Sequence, residues 1–516
     1  MSRRYFAAAF REVLALGVSE CQHYSLNSPK RQAGVARKRP HAILFVALAM
    51  LGLAALPRTL LAREAQAIPL EITRALEREG IPLSAVGLYV QDSAGAEPLL
   101  THQPEQPMNP ASLMKLVTTY SALELLGPAY TWKTELYATA VQTGGSAGDL
   151  IVKGYGDPKL TVEDFWLALR ELRARGLREI RGDLVLDNNY FDVEESDPNA
   201  FDGQGYRAYN VNPQALLVGF KAVNFRFIPD GDEGSVHVLA EPDLPAVHTI
   251  NKMTLKSGTC PSDWRGAIGK DVSATASAAT VTFSGAFPAD CGEKALSLNL
   301  LSGANYTFAL FQLLWRELGG SISGGVRAGQ IPQEARLLAR RESRSLAEAV
   351  RDINKFSNNV MARQLFLTLG AERAGVPGTV RGASAVIKKW LEAKKHDFSE
   401  LVLENGAGLS RSERISAGHL GQLLLSASRS SVMPEFVASL PLAALDGTLT
   451  KRFENQPIAG RAHIKTGSLE GVKTMAGYVL DRLGRRVVVV FLVNHPRAPR
   501  AEAAQDALLE WVYGRN

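Results

Sequence analysis

The chain has 516 residues, of which 46% are hydrophobic and 21% are charged, an ordinary composition for a globular protein with more than one domain. The formal net charge is +6, but residues 1–67 hold ten Lys/Arg against three Glu, a surplus of +7 that leaves −1 for the rest. A basic surface is therefore not supported, and no nucleic-acid partner is expected.

The first 67 residues are typical of an export signal. The charged stretch RKRP at 37–40 precedes the apolar run AILFVALAMLGLAAL at 42–56, and an A-x-A cleavage pattern ends at Ala67. The apolar run is short for a membrane span, so cleavage and a periplasmic location are expected. A retained single-span anchor, with loose inner-membrane association, is the alternative. The head of this signal is long, and we hypothesise that translation starts later.

The stretch NPASLMK at 109–115 predicts the start of a helix. Asn109 suits the cap and Pro110 the first position, and the helix should end at Gly127. Ser112 and Lys115, three residues apart, then share one face, with Ser112 close to the free N–H groups of the first turn. On this fragment alone, the simpler interpretation is a serine that assists the cap and a solvated lysine.

Residues 130–300 are rich in short strand-like runs between Gly, Asp, Asn and Pro turns, with one helix that should start at Thr161 and stop at Gly176. The sequence GGSAG at 144–148 fits the pattern of a nucleophile elbow. A strand rather than a helix follows it, however, so Ser146 is expected in a hairpin.

Cys260 and Cys291 are the two cysteines that remain after the signal. A bridge between them would close a loop of about 30 residues and contribute roughly 3–4 kcal/mol. It would form only in an oxidising compartment. Two unpaired buried thiols are the equal alternative.

Helical patterns dominate from residue 304 onward, and three consecutive strands and a closing helix follow near the end of the chain. The histidines form no H-E-x-x-H motif and no ligand-like pairs with cysteine, so no metal site and no cofactor are expected. The patterns together predict an α+β fold of helices and a sheet, interrupted by a large strand-rich insertion.

Three short motifs carry the candidate chemistry. They are Ser112-x-x-Lys115, Ser357-Asn358-Asn359 and Lys465-Thr466-Gly467. Ser-x-x-Lys and Ser-x-Asn are each expected about once by chance in a chain of this composition, and Lys-Thr-Gly is expected roughly a tenth as often. Separately, Ser357 could cap a helix and Lys465 could be an edge-strand charge. Together and in this order, they match the active-serine set of penicillin-interacting enzymes.

Further segments extend the match: GDPKL at 156–160, ENGAGLSR at 404–411 and LDGTLTKRF at 445–453. With these, the chain after the signal resembles the D-alanyl-D-alanine carboxypeptidase/endopeptidase family, the class C low-molecular-mass penicillin-binding proteins. The resemblance implies a transpeptidase/β-lactamase-like domain, an antiparallel sheet flanked by helices, in two parts (68–129 and 301–516) around inserted strand-rich domains (130–300). Serine β-lactamases share the motifs but lack so large an insert. Arg363 departs from the family, which has Glu there, and this departure concerns local packing.

A serine hydroxyl is a weak nucleophile that needs an adjacent base. Lys115 can be that base for Ser112 only as a neutral amine, so its pKa must fall by several units from about 10.4. Burial and a neighbouring positive charge, expected from Lys465, would lower it. Ser357 would pass a proton to the departing amine, and Asn359 would orient Lys115 or the substrate amide.

The resemblance also implies where substrate binds. The oxyanion hole would consist of the backbone N–H groups of Ser112 and Ser468, each typically worth about 3 kcal/mol. The strand Thr466-Gly467-Ser468 would bind substrate together with Lys465, its hydroxyls suiting a terminal carboxylate, and Arg411 of GLSR would bind the peptide stem. Asp202 and Tyr206 are weaker candidates for the stem.

The sequence thus predicts an exported serine enzyme that acts on peptidoglycan stem peptides. It would remove the terminal D-alanine, cut D-alanyl cross-links, or both, through an acyl-enzyme on Ser112 that water resolves and β-lactams block. The alternative is a non-catalytic penicillin-binding-like scaffold that holds cell-wall peptide. The preference between the two cleavage reactions is left open.

Overall fold

The computed structural model describes residues 67–194 and 196–515, so the predicted export signal lies outside the described residues except for Ala67. Within them the α-helices are α1 (Leu70–Arg78), α2 (Met114–Leu126), α3 (Val162–Ala174), α4 (Gly303–Glu317), α5 (Leu346–Lys355), α6 (Asn359–Ala374), α7 (Val380–Ala393), α8 (Ala417–Ser428), α9 (Met433–Ser439) and α10 (Glu502–Tyr513). None of these helices is long and apolar enough to cross a membrane.

The strands of the same residues are β1 (Val86–Asp92), β2 (Leu100–His102), β3 (Thr131–Ala138), β4 (Ser146–Ala147), β5 (Leu150–Gly154), β6 (Glu179–Ile180), β7 (Leu184–Asp187), β8 (Val223–Asp230), β9 (Ser235–Glu241), β10 (Val247–Lys256), β11 (Gly269–Ala274), β12 (Ala279–Pro288), β13 (Lys294–Leu298), β14 (Ser321–Ile322), β15 (Val326–Ala328), β16 (Arg336–Ser345), β17 (Ala462–Leu469), β18 (Val472–Leu480) and β19 (Arg486–Asn494).

One antiparallel sheet joins the two ends of the described chain. Its strand order is β17-β18-β19-β1-β2, so the first strand pairs with the last, Val86 opposite Val493 and Asp92 opposite Val487. Strand β19 lies in the middle and is buried along seven consecutive residues. A continuous apolar run of this kind is typical of a strand that is covered on both faces.

Helices cover both faces of this sheet. Because side chains alternate along a strand, Val487 and Val489 pack against α1 and α10, whereas Val488 and Val490 pack in a second core with α2 and α5–α9. The antiparallel sheet flanked by helices agrees with the predicted fold class.

A large insert interrupts this arrangement after α2. The chain leaves the helical core on β3 and returns on β16, and these two strands pair antiparallel. The backbone N–H of Leu346 donates to the carbonyl of Tyr130 at 2.7 Å, so the two crossings are adjacent. Helix α4 buries Leu310 and Phe311 in the core of the insert. We therefore call residues 131–345 the insert and the other described residues the main domain. The boundary predicted at 300 falls inside the insert, because the apolar face of α4 does not reveal which core it joins.

The predicted helix ends agree with the structure at Thr161, Gly176 and Gly127 and differ at Asn109. The hydroxyl of Thr161 accepts the N–H of Asp164 at 3.2 Å and caps α3, and Gly127 follows α2 with a φ of 85°. Asn109 does not cap α2. A 3-10 turn at Ala111–Leu113 comes first, and the Asn109 side chain accepts the N–H of Ala111 at 2.9 Å. As predicted, Ser146 lies between two antiparallel strands, β3 and β5, but it belongs to the short strand β4, which pairs with β6, and not to the hairpin turn.

Cys260 and Cys291 are joined by a disulfide, with a sequence separation of 31. We expect the double variant Cys260→Ser, Cys291→Ser to lower the free energy of unfolding of the insert by about 3–4 kcal/mol, because the open chain has more conformational freedom when unfolded. Urea denaturation checks this. Reductant should destabilise the wild type and leave the variant unchanged, and an unaltered wild-type midpoint would contradict the prediction.

Candidate active site

The first motif lies where the 3-10 turn enters α2. Lys115 Nζ lies 3.0 Å from Ser112 Oγ, and the lysine is fully buried at 0% exposure. A solvated surface lysine, the simpler interpretation of the fragment, does not fit this position. The spacing of three residues along the helical turns accounts for the contact.

Contacts with the sheet hold the Ser112 turn in place. The Thr474 hydroxyl on β18 donates to the carbonyl of Pro110 at 2.9 Å, and the N–H of Asn109 donates to Asn494 Oδ1 at the end of β19 at 2.7 Å. Ala111 has a φ of 47°, a conformation that non-glycine residues adopt rarely and mostly where surrounding contacts impose it. The serine hydroxyl is therefore placed by the sheet as well as by its own helix.

Three oxygens surround the Lys115 amine. Besides Ser112 Oγ, they are Asn359 Oδ1 at 2.6 Å and the carbonyl of Ala407 at 2.5 Å. Burial and the positive charge of Lys465 hold the pKa of Lys115 well below its ordinary value, while Glu413 opposes this shift. A neutral amine has two N–H bonds, which suit Asn359 and Ala407. Its lone pair then remains for the proton of the Ser112 hydroxyl.

The second motif presents Ser357 to the third. The Asn358 side chain, not that of Ser357, caps α6 by accepting the N–H of Met361 at 3.0 Å. Ser357 stands before the helix with a φ of 56°, and its hydroxyl accepts from Lys465 Nζ at 2.8 Å. The helix-cap interpretation of Ser357 therefore does not hold.

Lys465 lies on β17, the edge strand of the main sheet, yet it is fully buried. Its amine also donates to the carbonyl of Thr466 at 2.7 Å. Burial lowers the pKa of Lys465 to about 7, so the group exchanges protons readily at neutral pH. An exposed edge-strand charge is excluded.

Two glycines let backbone segments approach the serine closely. A Cβ on Gly467 would lie 2.9 Å from the backbone nitrogen of Ser112 and 2.4 Å from Thr474 Oγ1, and one on Gly408 would lie 1.8 Å from the carbonyl oxygen of Ala111. Ser468, which follows Gly467, is exposed on the same edge strand. The Thr466 hydroxyl contacts the hydroxyl of Thr448 at 3.2 Å.

We expect Gly467→Ala to slow acylation by a β-lactam about 100-fold. The added methyl group must push β17 away from Ser112, which would displace the N–H groups of Ser112 and Ser468 that are expected to form the oxyanion hole. Gly231→Ala is the matched control, since a Cβ there meets nothing within 4 Å. Stopped-flow labelling measures both rates, and an unchanged rate for Gly467→Ala would contradict the prediction.

The predicted stem-binding residues are exposed. Arg411 is exposed, its Nη2 lies 3.1 Å from Glu470 Oε2, and its guanidinium stands 5.2 Å from the ring centroid of Phe201 of the insert. It lines a cleft of about 790 Å³ between the insert and the main domain. Asp202 accepts from the Tyr209 hydroxyl at 2.7 Å, and Tyr206 is exposed.

Arg363, the departure from the family pattern, lines the same cleft. Its Nη1 donates to the carbonyl of Val211 at 3.3 Å. Burial lowers the pKa of this guanidinium, and the carboxyl groups of Glu404 and Glu413 oppose that shift. The arginine is thus accommodated by two acidic neighbours and one carbonyl of the insert.

Sequence reasoning missed the carbonyl of Ala407 and the side chains of Thr474 and Glu413. No local pattern indicates them, because each reaches the site only through contacts between distant segments. Among the described residues, Asp230, Glu233 and His237 lie close enough to share an ion, with ligand atoms within 4.8 Å. They lie on the β8–β9 hairpin of the insert, and sequence reasoning did not single them out.

The chain is similar in sequence to known D-alanyl-D-alanine carboxypeptidases. The sequence model of the D-Ala-D-Ala carboxypeptidase 3 (S13) family matches residues 70–513. The D-alanyl-D-alanine carboxypeptidase of Actinomadura sp. (strain R39) is 30% identical over 454 residues, which cover 85% of this chain and 83% of that protein. DacB of Haemophilus influenzae, also a D-alanyl-D-alanine carboxypeptidase, is 24% identical over 388 residues, 74% of this chain and 80% of that one.

The fold is also that of a solved relative. The crystal structure of penicillin binding protein 4 from Haemophilus influenzae superposes with a TM-score of 0.71 at 22% identity, and the match covers 87% of this chain and all of that one. The same protein has been solved in complex with a β-lactam. Given the match over nearly all of the described chain, this chain belongs to the D-Ala-D-Ala carboxypeptidase 3 (S13) family and is a serine-type D-alanyl-D-alanine carboxypeptidase.

Proposed function

We propose that Ser112 is the nucleophile and that Lys115 is its general base. The observation that carries this proposal is the buried amine 3.0 Å from the serine hydroxyl, with its two N–H bonds directed to other acceptors. Ser112 Oγ bonds to the carbonyl carbon of the penultimate D-alanine, and its proton moves to Lys115 Nζ. The oxyanion that forms is stabilised by the backbone N–H groups of Ser112 and Ser468.

Breakdown of this intermediate requires an acid for the leaving amine. The Ser357 hydroxyl accepts from Lys465 Nζ at 2.8 Å, and its own O–H donates the proton to the amine as the carbon–nitrogen bond breaks. The proton that Lys115 took from Ser112 then replaces it on Ser357 Oγ, which requires these two groups to come within hydrogen-bonding distance in the substrate complex and leaves Lys115 neutral again. Water then attacks the acyl-enzyme, with Lys115 again taking the proton. Asn359 keeps the Lys115 amine oriented through its side-chain oxygen.

Substrate binding is proposed along the edge strand β17. An edge strand offers free backbone groups to an extended peptide, and Thr466, Gly467 and Ser468 would hold the terminal D-alanine next to Ser112. Lys465 supplies positive charge for its carboxylate. Arg411, in the cleft beneath the insert, would bind the peptide stem.

The physiological substrates would be peptidoglycan stem peptides, either with a free D-Ala-D-Ala end or in D-alanyl cross-links. A β-lactam would acylate Ser112 and block the site. We also propose that residues 1–67 direct the chain to the periplasm and are then removed, with a retained anchor as the alternative. N-terminal sequencing of the mature protein tests this.

Two assays test the proposed function. Fluorescent penicillin should label the protein covalently, whereas a non-catalytic scaffold would bind stem peptide without taking up label. Incubation with uncross-linked pentapeptide and with cross-linked muropeptide dimers, followed by chromatography, then determines which bond is cut. Absence of both label and D-alanine release would contradict the proposal.

A further inference from the structure

A buried carboxyl group that the mechanism does not use lies behind the Lys115 amine. Glu413 is 0% exposed, and its Oε1 accepts three consecutive backbone N–H groups, those of Glu404 at 3.0 Å, Asn405 at 2.9 Å and Gly406 at 3.1 Å. Successive N–H groups turned toward one point form an anion-binding concavity. Its Oε2 is buried without a hydrogen-bond partner in the described part of the chain, and such groups call for a specific explanation.

The segment whose N–H groups bond to Glu413, residues 404–406, is followed by a residue that contacts the proposed general base. Ala407, the next residue, gives its carbonyl to Lys115 Nζ. The other side of the segment is held by α2, since the Thr118 hydroxyl donates to the carbonyl of Gly406 at 2.7 Å. Glu413 therefore fixes the Ala407 carbonyl without a hydrogen bond to Lys115 or Ser112.

The charge of Glu413 also acts on the base. Lys465 and burial lower the pKa of Lys115, and Glu413 acts in the opposite direction. Burial raises the pKa of Glu413 itself, and its three backbone N–H bonds oppose that. The other charged groups that face this carboxyl are Glu404 and Arg363.

We propose that Glu413 is a positioning residue for the general base. Its carboxylate holds segment 404–407 so that the Ala407 carbonyl meets Lys115 Nζ, and its negative charge stabilises the ammonium that Lys115 becomes when it takes the proton of Ser112. This inference rests on the proposed roles of Ser112 and Lys115. It also gives a function to Glu413 Oε2, which has no hydrogen-bond partner among the described residues. The Glu413 carboxylate forms an ion pair with Lys115 only during acylation, when Lys115 carries the proton of Ser112.

The substitution Glu413→Gln tests the charge. Glutamine keeps the volume and a carbonyl oxygen for the three N–H groups, but it carries no charge. Acylation requires neutral Lys115, so the rate rises with pH through the pKa of Lys115. Without the Glu413 charge that pKa falls, and we expect the acid limb of the rate–pH profile to move about one unit to lower pH. The plateau rate should fall about tenfold, since the base is weaker.

The measurement is the second-order rate of labelling by fluorescent penicillin between about pH 5 and pH 10, together with the melting temperature. Glu77→Gln is the matched control, because it removes the same charge at an exposed position on α1, away from the site. Solvent screening should leave its acid limb close to that of the wild type. An unchanged limb in Glu413→Gln, or a shift to higher pH, would overturn the proposal.

A second variant covers the case in which Glu413→Gln does not fold. Glu413→Asp retains the charge but shortens the side chain, so segment 404–407 must shift. We expect the acid limb to stay in place and the plateau rate to fall. A wild-type plateau in this variant would overturn the positioning role. If the wild type itself takes no label, the proposed function fails instead, so the two failures are distinguishable.

Discussion

Ser112→Ala is expected to abolish covalent labelling by penicillin and to lower D-alanine release by at least about 10⁴-fold, the scale seen when a catalytic nucleophile is removed. No other hydroxyl takes its place. Ser357 Oγ accepts from Lys465, and the described structure records no hydrogen bond between it and Lys115. The loss should be one of chemistry alone, since the hydroxyl group is small and the Ser112 turn is held by Asn109, Pro110 and the sheet.

Gel fluorescence after incubation with labelled penicillin measures the acyl-enzyme, and chromatography measures released D-alanine. Ser146→Ala is the control, because this serine satisfies the elbow pattern but lies in the short strand β4 of the insert. It should label like the wild type. Full labelling of Ser112→Ala would assign the nucleophile to another residue.

Removal of Lys115, the proposed base, should be nearly as severe. Lys115→Ala is expected to slow acylation by about 10³-fold or more, because it removes the partner of the Ser112 hydroxyl and the described residues show no other proton acceptor bonded to it. In the wild type the acylation rate should rise with pH through the pKa of Lys115. Since burial and Lys465 hold that pKa well below its ordinary value, the rise should be complete well below about pH 10.

The rate of penicillin labelling, measured as a function of pH up to about pH 10, gives both the loss of acylation rate in Lys115→Ala and the position of the acid limb in the wild type. Lys256→Ala, at an exposed position on β10 of the insert, removes the same type of side chain and should leave the profile unchanged. A normal acylation rate in Lys115→Ala would refute its role as the base, and an acid limb near the ordinary lysine pKa would show that the amine is not neutralised.

Much of the local structure follows from local chemistry. Thr161 and Gly176 bracket α3 as predicted, and the strands β17, β18 and β19 occur where the alternating and apolar runs indicate. The predicted boundary of the insert was misplaced at α4. The apolar face of an amphipathic helix indicates that the helix is packed against a core, but it does not indicate whether that core belongs to the insert or to the main domain. Asn109 was misassigned as the cap of α2. An asparagine before a helix can accept an N–H of the first helical turn, or it can accept the N–H two residues ahead in a turn, and the sequence is the same in both cases.

The order and spacing of the three motifs, Ser112-x-x-Lys115, Ser357-Asn358-Asn359 and Lys465-Thr466-Gly467, indicated the family and the candidate residues from the sequence alone. The charge states depend on the tertiary structure. A lysine becomes a base near neutral pH when burial or a nearby cation lowers its pKa, and burial at 0% exposure results from packing between segments hundreds of residues apart. The same packing brings Glu413 and the Ala407 carbonyl behind Lys115, where the residue order along the chain gives no sign of them.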